Sequence, residues 1–97
     1  MISIDPVKTG QNIKKYRERK GLAVSEVAEK LELQCTQSIY KWERGGCLPH
    51  IDNFLSLCYL YEVSPVDLLG FYDEKEAECF INFFHRITGG VNETNII

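Results

Sequence analysis

Apolar residues recur along this chain at intervals of three and four, with no sustained alternation of two. Positions three and four apart share one face of an α-helix, so the pattern predicts an all-α fold of five or six short helices. The first follows Asp5-Pro6, an N-cap with proline at the first helical position, and runs to Lys20 with Ile13 and Tyr16 inward. Gly21 then closes it in the left-handed conformation that glycine adopts at little steric cost. Leu22 leads into a second helix over residues 24–31, with Val27, Ala28 and Leu31 inward and the alanine allowing close approach of a neighbour.

A short link, Glu32-Leu33-Gln34-Cys35, precedes the stretch Thr36-Gln-Ser-Ile-Tyr-Lys-Trp-Glu-Arg-Gly-Gly46. Ile39 and Trp42, three apart, set the inward face of this third helix and leave Gln37, Ser38, Tyr40, Lys41 and Arg44 outside. Pro49-His50 breaks the chain before a central fourth helix, 51–61, in which Phe54, Leu55, Leu57, Cys58 and Leu60 cover most of the surface. Ser64-Pro-Val-Asp67 resembles a capping box and starts a short fifth helix with Val66, Leu68 and Leu69 buried before Gly70. Asp73 caps a sixth helix whose stripe Ala77, Phe80, Ile81, Phe84 and Ile87 ends at Gly89-Gly90, with Phe83 broadening it. The expected units are residues 5–70 as one domain, 71–90 as an added amphipathic helix and 91–97 as a flexible tail.

At 97 residues and 44% hydrophobic, the chain holds one modest core and no extended catalytic cleft. No cluster of Ser/His/Asp, Cys/His or paired carboxylates gathers in the expected layout, which argues against an enzyme. No apolar run reaches membrane-spanning length and the start lacks a signal-peptide pattern, so a cytoplasmic location without membrane contact is expected. Cysteines 35, 47, 58 and 79 are irregularly spaced and form no Cys-x-x-Cys pair. Free thiols are expected, with Cys58 and Cys79 in core positions, Cys35 and Cys47 beside turns, and no metal or cofactor.

Charge is distributed unevenly. The net charge is −3, yet residues 1–50 hold nine Lys/Arg against six Asp/Glu, and residues 51–97 hold two against eight. A basic face can therefore meet phosphates while the acidic half points elsewhere, because screening limits charge effects to about 8 Å at physiological salt. Lys8, Lys14, Lys15, Arg19 and Lys20 cluster on or near helix 1, as phosphate contacts or as a solvated face.

The segments Ile13-Lys-Lys-Tyr-Arg17, Lys20-Gly-Leu22, Glu26-Val-Ala-Glu-Lys-Leu31, Ser38-Ile-Tyr-Lys-Trp-Glu-Arg-Gly45, Leu48-Pro49 and Val63-Ser-Pro-Val-Asp-Leu-Leu69 together resemble a phage-repressor-type, Xre-family helix-turn-helix domain over residues 8–70. The resemblance implies a five-helix bundle, here with an additional C-terminal helix, in which helix 2 crosses the DNA backbone and helix 3 enters the major groove. It places base-reading positions on Thr36, Gln37, Ser38, Tyr40 and Lys41, a phosphate contact on Arg44, and an inward ion pair of structural role on Arg17 and Glu43. Ala23 and Val24 depart from the family's polar cap and DNA-touching glutamine, Glu32 replaces the turn glycine, and Leu31 to Trp42 is one residue longer than the commonest spacing.

The expected function is sequence-specific binding of double-stranded DNA by a transcriptional regulator, a repressor acting as a homodimer. Phe80, Ile81, Phe84 and Ile87 are the candidate dimer contacts. The alternative is a protein-interaction module, an antitoxin or regulatory adaptor that keeps the fold and engages a protein through the acidic C-terminal half.

Overall fold

The computed structural model describes the backbone of residues 1–94 and the side chains of residues 1–87. Six helices follow in order: α1 Pro6–Arg19, α2 Val24–Lys30, α3 Gln37–Arg44, α4 Ile51–Tyr61, α5 Pro65–Leu68 and α6 Glu74–Thr94. Asp5 caps α1 as expected, its Oδ1 accepting from the N–H groups of Val7 at 2.9 Å and Lys8 at 3.3 Å. The core unites Ile13, Val27, Ile39, Leu57 and Leu68, all fully buried, with Trp42, Phe54, Cys58 and Tyr61. Burying each such side chain contributes roughly 1.5–3 kcal/mol, which ties the five short helices into one unit.

Helices α1 to α4 all end in the same manner. A residue of left-handed φ follows the helix, and two tightening backbone bonds satisfy carbonyls of the last turn. At α1 the residue is Gly21, with Gly21 N–H to Glu18 O at 3.0 Å and Leu22 N–H to Arg17 O at 3.2 Å; at α3 it is Gly45, with bonds to Trp42 O and from Gly46 to Lys41 O. Glu32 (φ 58°) and Glu62 (φ 59°) take the same role after α2 and α4. Leu33 N–H reaches Ala28 O at 2.8 Å and Val63 N–H reaches Cys58 O at 3.0 Å. The turn after α2, where the resemblance implies a glycine, thus takes the left-handed geometry with a glutamate, in a conformation costing about 1 kcal/mol.

Gly10 sets the contact between α1 and α3, the most extensive between helices. A Cβ there would lie 2.3 Å from the carbonyl oxygen of Trp42 and 2.8 Å from that of Glu43. Only a residue without a side chain lets the two backbones approach this closely.

The segment after α5 is clamped to α1. The buried Thr9 hydroxyl accepts from Gly70 N–H at 2.9 Å, the Asn12 amide donates to the Leu68 and Leu69 carbonyls, and Lys8 Nζ donates to Phe71 O at 2.9 Å. Ile4 pairs with Phe71 in an isolated antiparallel bridge, flanked by Asp5 N–H to Gly70 O and Tyr72 N–H to Ser3 O. Asp73 caps α6, whose fully buried Ala77 seats its start on the bundle.

Four expectations are corrected. Leu55 is 51% exposed and Cys79 is exposed; each falls on the outer arc of its helix, while Tyr61 takes a core place. The Ser64 hydroxyl donates to Asp67 Oδ2 at 2.8 Å instead of accepting from the backbone, so the capping box does not form. Helix α6 continues through Gly89-Gly90 to Thr94, since glycine lowers helix propensity by about 1 kcal/mol without forbidding helical geometry. The remainder of the expected tail, residues 95–97, lies outside the described residues. Among the described residues, no helix is long and apolar enough to cross a membrane.

Candidate nucleic-acid interface

Helix α3 is built as a two-faced element. Ile39 is fully buried and Trp42 is 5% exposed, which fixes the rotation of the helix and turns its opposite side outward. Gln37, Tyr40, Lys41 and Arg44 are exposed on that side, while Ser38 and the N-cap residue Thr36 are half-buried. Thr36 makes no side-chain cap, and its carbonyl accepts from Tyr40 N–H at 3.2 Å.

Gln37, Tyr40 and Arg44, at intervals of three and four, line a shallow depression of about 390 Å³ together with Lys14, Arg17 and Glu43. Lys41 stands beside this row, its stem passing 3.2 Å from where a Cβ on Gly46 would sit. Gln37, Tyr40, Lys41 and Arg44 therefore occupy one outward surface, to which Thr36 and Ser38 contribute only as half-buried residues. Lys14 enters it from α1.

Arg17 and Glu43 form the expected inward pair. Nε donates to Oε2 at 2.7 Å, Nη2 to Oε1 at 3.2 Å, and the third guanidinium nitrogen to Leu22 O at 2.9 Å. The side chains are 12% and 7% exposed. The bond to Glu43 holds the guanidinium more firmly protonated than in water, outweighing the opposing cost of burial. Tyr61 is packed close enough for the Glu43 charge to be felt: burial first, and then that carboxylate, push its phenol well above the ordinary range.

Helix α2 presents little polar chemistry at its start. Val24 is 7% exposed and turned into the core, and Ala23 has no side-chain acceptor. The Glu26 carboxylate compensates by accepting from Ala23 N–H at 2.7 Å. No group of three or more His, Cys, Asp or Glu side chains among the described residues is arranged to hold a metal ion.

The geometry has close counterparts among solved structures. The restriction-modification controller protein C.AhdI from Aeromonas hydrophila is 30% identical, with a TM-score of 0.60, over 66% of this chain and 96% of that one. The master regulator for biofilm formation SinR, solved in complex with DNA, is 33% identical with a TM-score of 0.56, over 62% of this chain and 95% of that one. The DNA-binding domain of BldD shares the fold at 22% identity and a TM-score of 0.59, over 68% of this chain and 94% of that one. No family model and no curated protein matches the sequence.

Proposed function

Because the chain belongs to the Xre/Cro-type helix-turn-helix family of DNA-binding regulators, we propose that it binds operator DNA sequence-specifically and represses transcription, with α3 in the major groove. The observation that carries this reading is the outer face of α3, where Gln37, Tyr40, Lys41 and Arg44 stand exposed opposite buried Ile39 and Trp42. Glutamine can pair with N6 and N7 of adenine, lysine can reach O6 and N7 of guanine, and the Thr36 methyl can meet that of thymine. Ser38 and Tyr40 add hydroxyl donors, and Arg44 at the helix end takes a phosphate. SinR, similar in sequence and fold, was solved on DNA, which supports the same partner here.

Operator binding in this class uses two half-sites about 34 Å apart, which calls for two copies held at a fixed separation. Residues 5–70 form the DNA-binding unit, and α6 supplies the pairing element through Phe80, Ile81, Phe84 and Ile87. Two of these also serve their own bundle: Phe80 meets Phe71 edge-on at 6.5 Å, and Ile81 lines a depression with Lys8, Val66 and Phe71. Phe83 and Ile87, at 50% and 45% exposure, are the parts of the stripe that a second copy would cover most.

Selection of bound sites from random duplex DNA tests the function. Enrichment of a two-fold symmetric sequence is expected. Failure to enrich any sequence, with retained affinity for a co-purified protein, would favour the adaptor or antitoxin reading.

A further inference from the structure

Most cations on α1 and at its C-cap are engaged within the molecule. Lys8 Nζ bonds the Phe71 carbonyl and lies 3.8 Å from Glu74, Arg17 is forked onto Glu43, and Lys20 Nζ meets Glu62 at 2.8 Å. Lys15 and Arg19 lie over the Tyr16 ring, 4.9 and 5.4 Å from its centre. Lys14 is exposed and has no such partner among the described residues.

Helical phase places Lys14 between two fixed points. Gly10, Lys14 and Arg17 are spaced four and three apart and share one face of α1. The Gly10 backbone abuts the carbonyls of Trp42 and Glu43, and Arg17 holds the Glu43 carboxylate. Lys14 therefore rises from α1 beside the last turn of α3, into the depression it shares with Gln37, Tyr40 and Arg44. Arg17 and Glu43 neutralise one another there, which leaves Lys14 and Arg44 as a cationic pair on a chain of net charge −3.

We infer that Lys14 and Arg44 together bind the phosphodiester backbone of duplex DNA, with α1 as one wall of the phosphate site and α3 as the other. The inference rests on the DNA-binding reading above and extends it to a helix outside the helix-turn-helix pair. A phosphate held across both walls fixes how deeply and at what angle α3 enters the groove, while reading no base itself. Gln37 and the Tyr40 hydroxyl supply neutral donors alongside.

The test is the salt dependence of binding to the selected duplex by the intact chain, Lys14→Gln, Lys14→Arg and Lys75→Gln. Lys75 is exposed in the first turn of α6, outside the helices expected to meet DNA, so its substitution removes the same charge away from the proposed site. Each lost phosphate contact reduces the slope of log affinity against log salt by about 0.9, so one lost from each copy of a dimer reduces it by about 1.8, which corresponds to about 30-fold in affinity at 0.15 M relative to 1 M salt. The expected result is that reduction for Lys14→Gln with base preference unchanged, near-complete recovery in Lys14→Arg, and an unaltered slope in Lys75→Gln. An unaltered slope in Lys14→Gln, or an equal loss in Lys75→Gln, overturns the local contact while leaving the DNA-binding function in place. An intact chain that binds no duplex even at low salt overturns both.

Discussion

The Arg17 guanidinium and the Glu43 carboxylate meet in a two-pronged, nearly buried ion pair that joins α1 to the last turn of α3. The pair sits directly behind the outward face proposed to read DNA. Its loss would therefore disturb binding through the fold. Removing one partner leaves a buried charge uncompensated, at about 3–5 kcal/mol. Glu43→Ala is expected to destabilise the chain by about that much, whereas Arg17→Met combined with Glu43→Leu should cost clearly less than the single change. Urea unfolding of the single and double variants measures the difference.

Gly10→Ala is expected to cost about 2 kcal/mol or more, because its Cβ would meet two backbone carbonyls that cannot move aside without separating α1 from α3. Gly21→Ala should cost only about 1 kcal/mol: nothing lies within 4 Å of its Cβ, and the penalty is that of a left-handed φ of 70°. Equal melting temperatures for the two variants would contradict the close α1–α3 contact.

The outward face of α3 was legible in the sequence because Ile39 and Trp42, three apart, leave one choice of helix rotation. The closure at Gly21 was equally plain, since glycine advertises a positive φ. Those at Glu32 and Glu62 were not, as glutamate carries no such signal: the resemblance marked Glu32 as standing in place of a turn glycine, and the backbone bonds reveal the closure at both. Nor was the clamp of Lys8, Thr9 and Asn12 on residues 68–71, whose partners lie 56 to 63 positions away in sequence. Two small polar residues on the first helix were the one hint. The approach of Lys14 to Gln37 and Arg44 depends on how α1 crosses α3, a tertiary property that periodicity within either helix does not contain.

Alkaline pH should weaken the fold through Cys58 and Tyr61. Burial raises the Cys58 thiol from 9.0 to about 11, and burial with the nearby Glu43 charge raises the Tyr61 phenol above its ordinary 10.0. Each keeps its proton in the folded chain at pH values where the unfolded chain has lost it. Their contribution is therefore whole below pH 9 and declines as pH rises, for Cys58 between 9 and about 11 and for Tyr61 from 10 upward. Stability measured against pH should be flatter over the first window in Cys58→Ala. Tyr61→Phe should flatten the second and add about 1 kcal/mol at neutral pH, since the buried Tyr61 hydroxyl has no hydrogen-bond partner among the described residues.

Dimerisation through α6 is expected to fail in Phe83→Asp combined with Ile87→Asp. Both side chains are about half exposed in the single chain, so the variant should remain folded. Sedimentation equilibrium should show the intact chain as a dimer and the variant as a folded monomer. An intact chain that stays monomeric at high concentration, with and without DNA, would remove α6 from this role.

The central claim is that the outer face of α3 reads base sequence, and competition binding with single-base variants of the selected operator tests it most directly. Each good two-point base contact is worth roughly 1–3 kcal/mol of discrimination. Gln37→Ala and Lys41→Ala, compared with the intact chain by the same competition, should each lose discrimination at one position of each half-site while unfolding at the same urea concentration. Unchanged affinity and unchanged base preference in both variants would contradict the account.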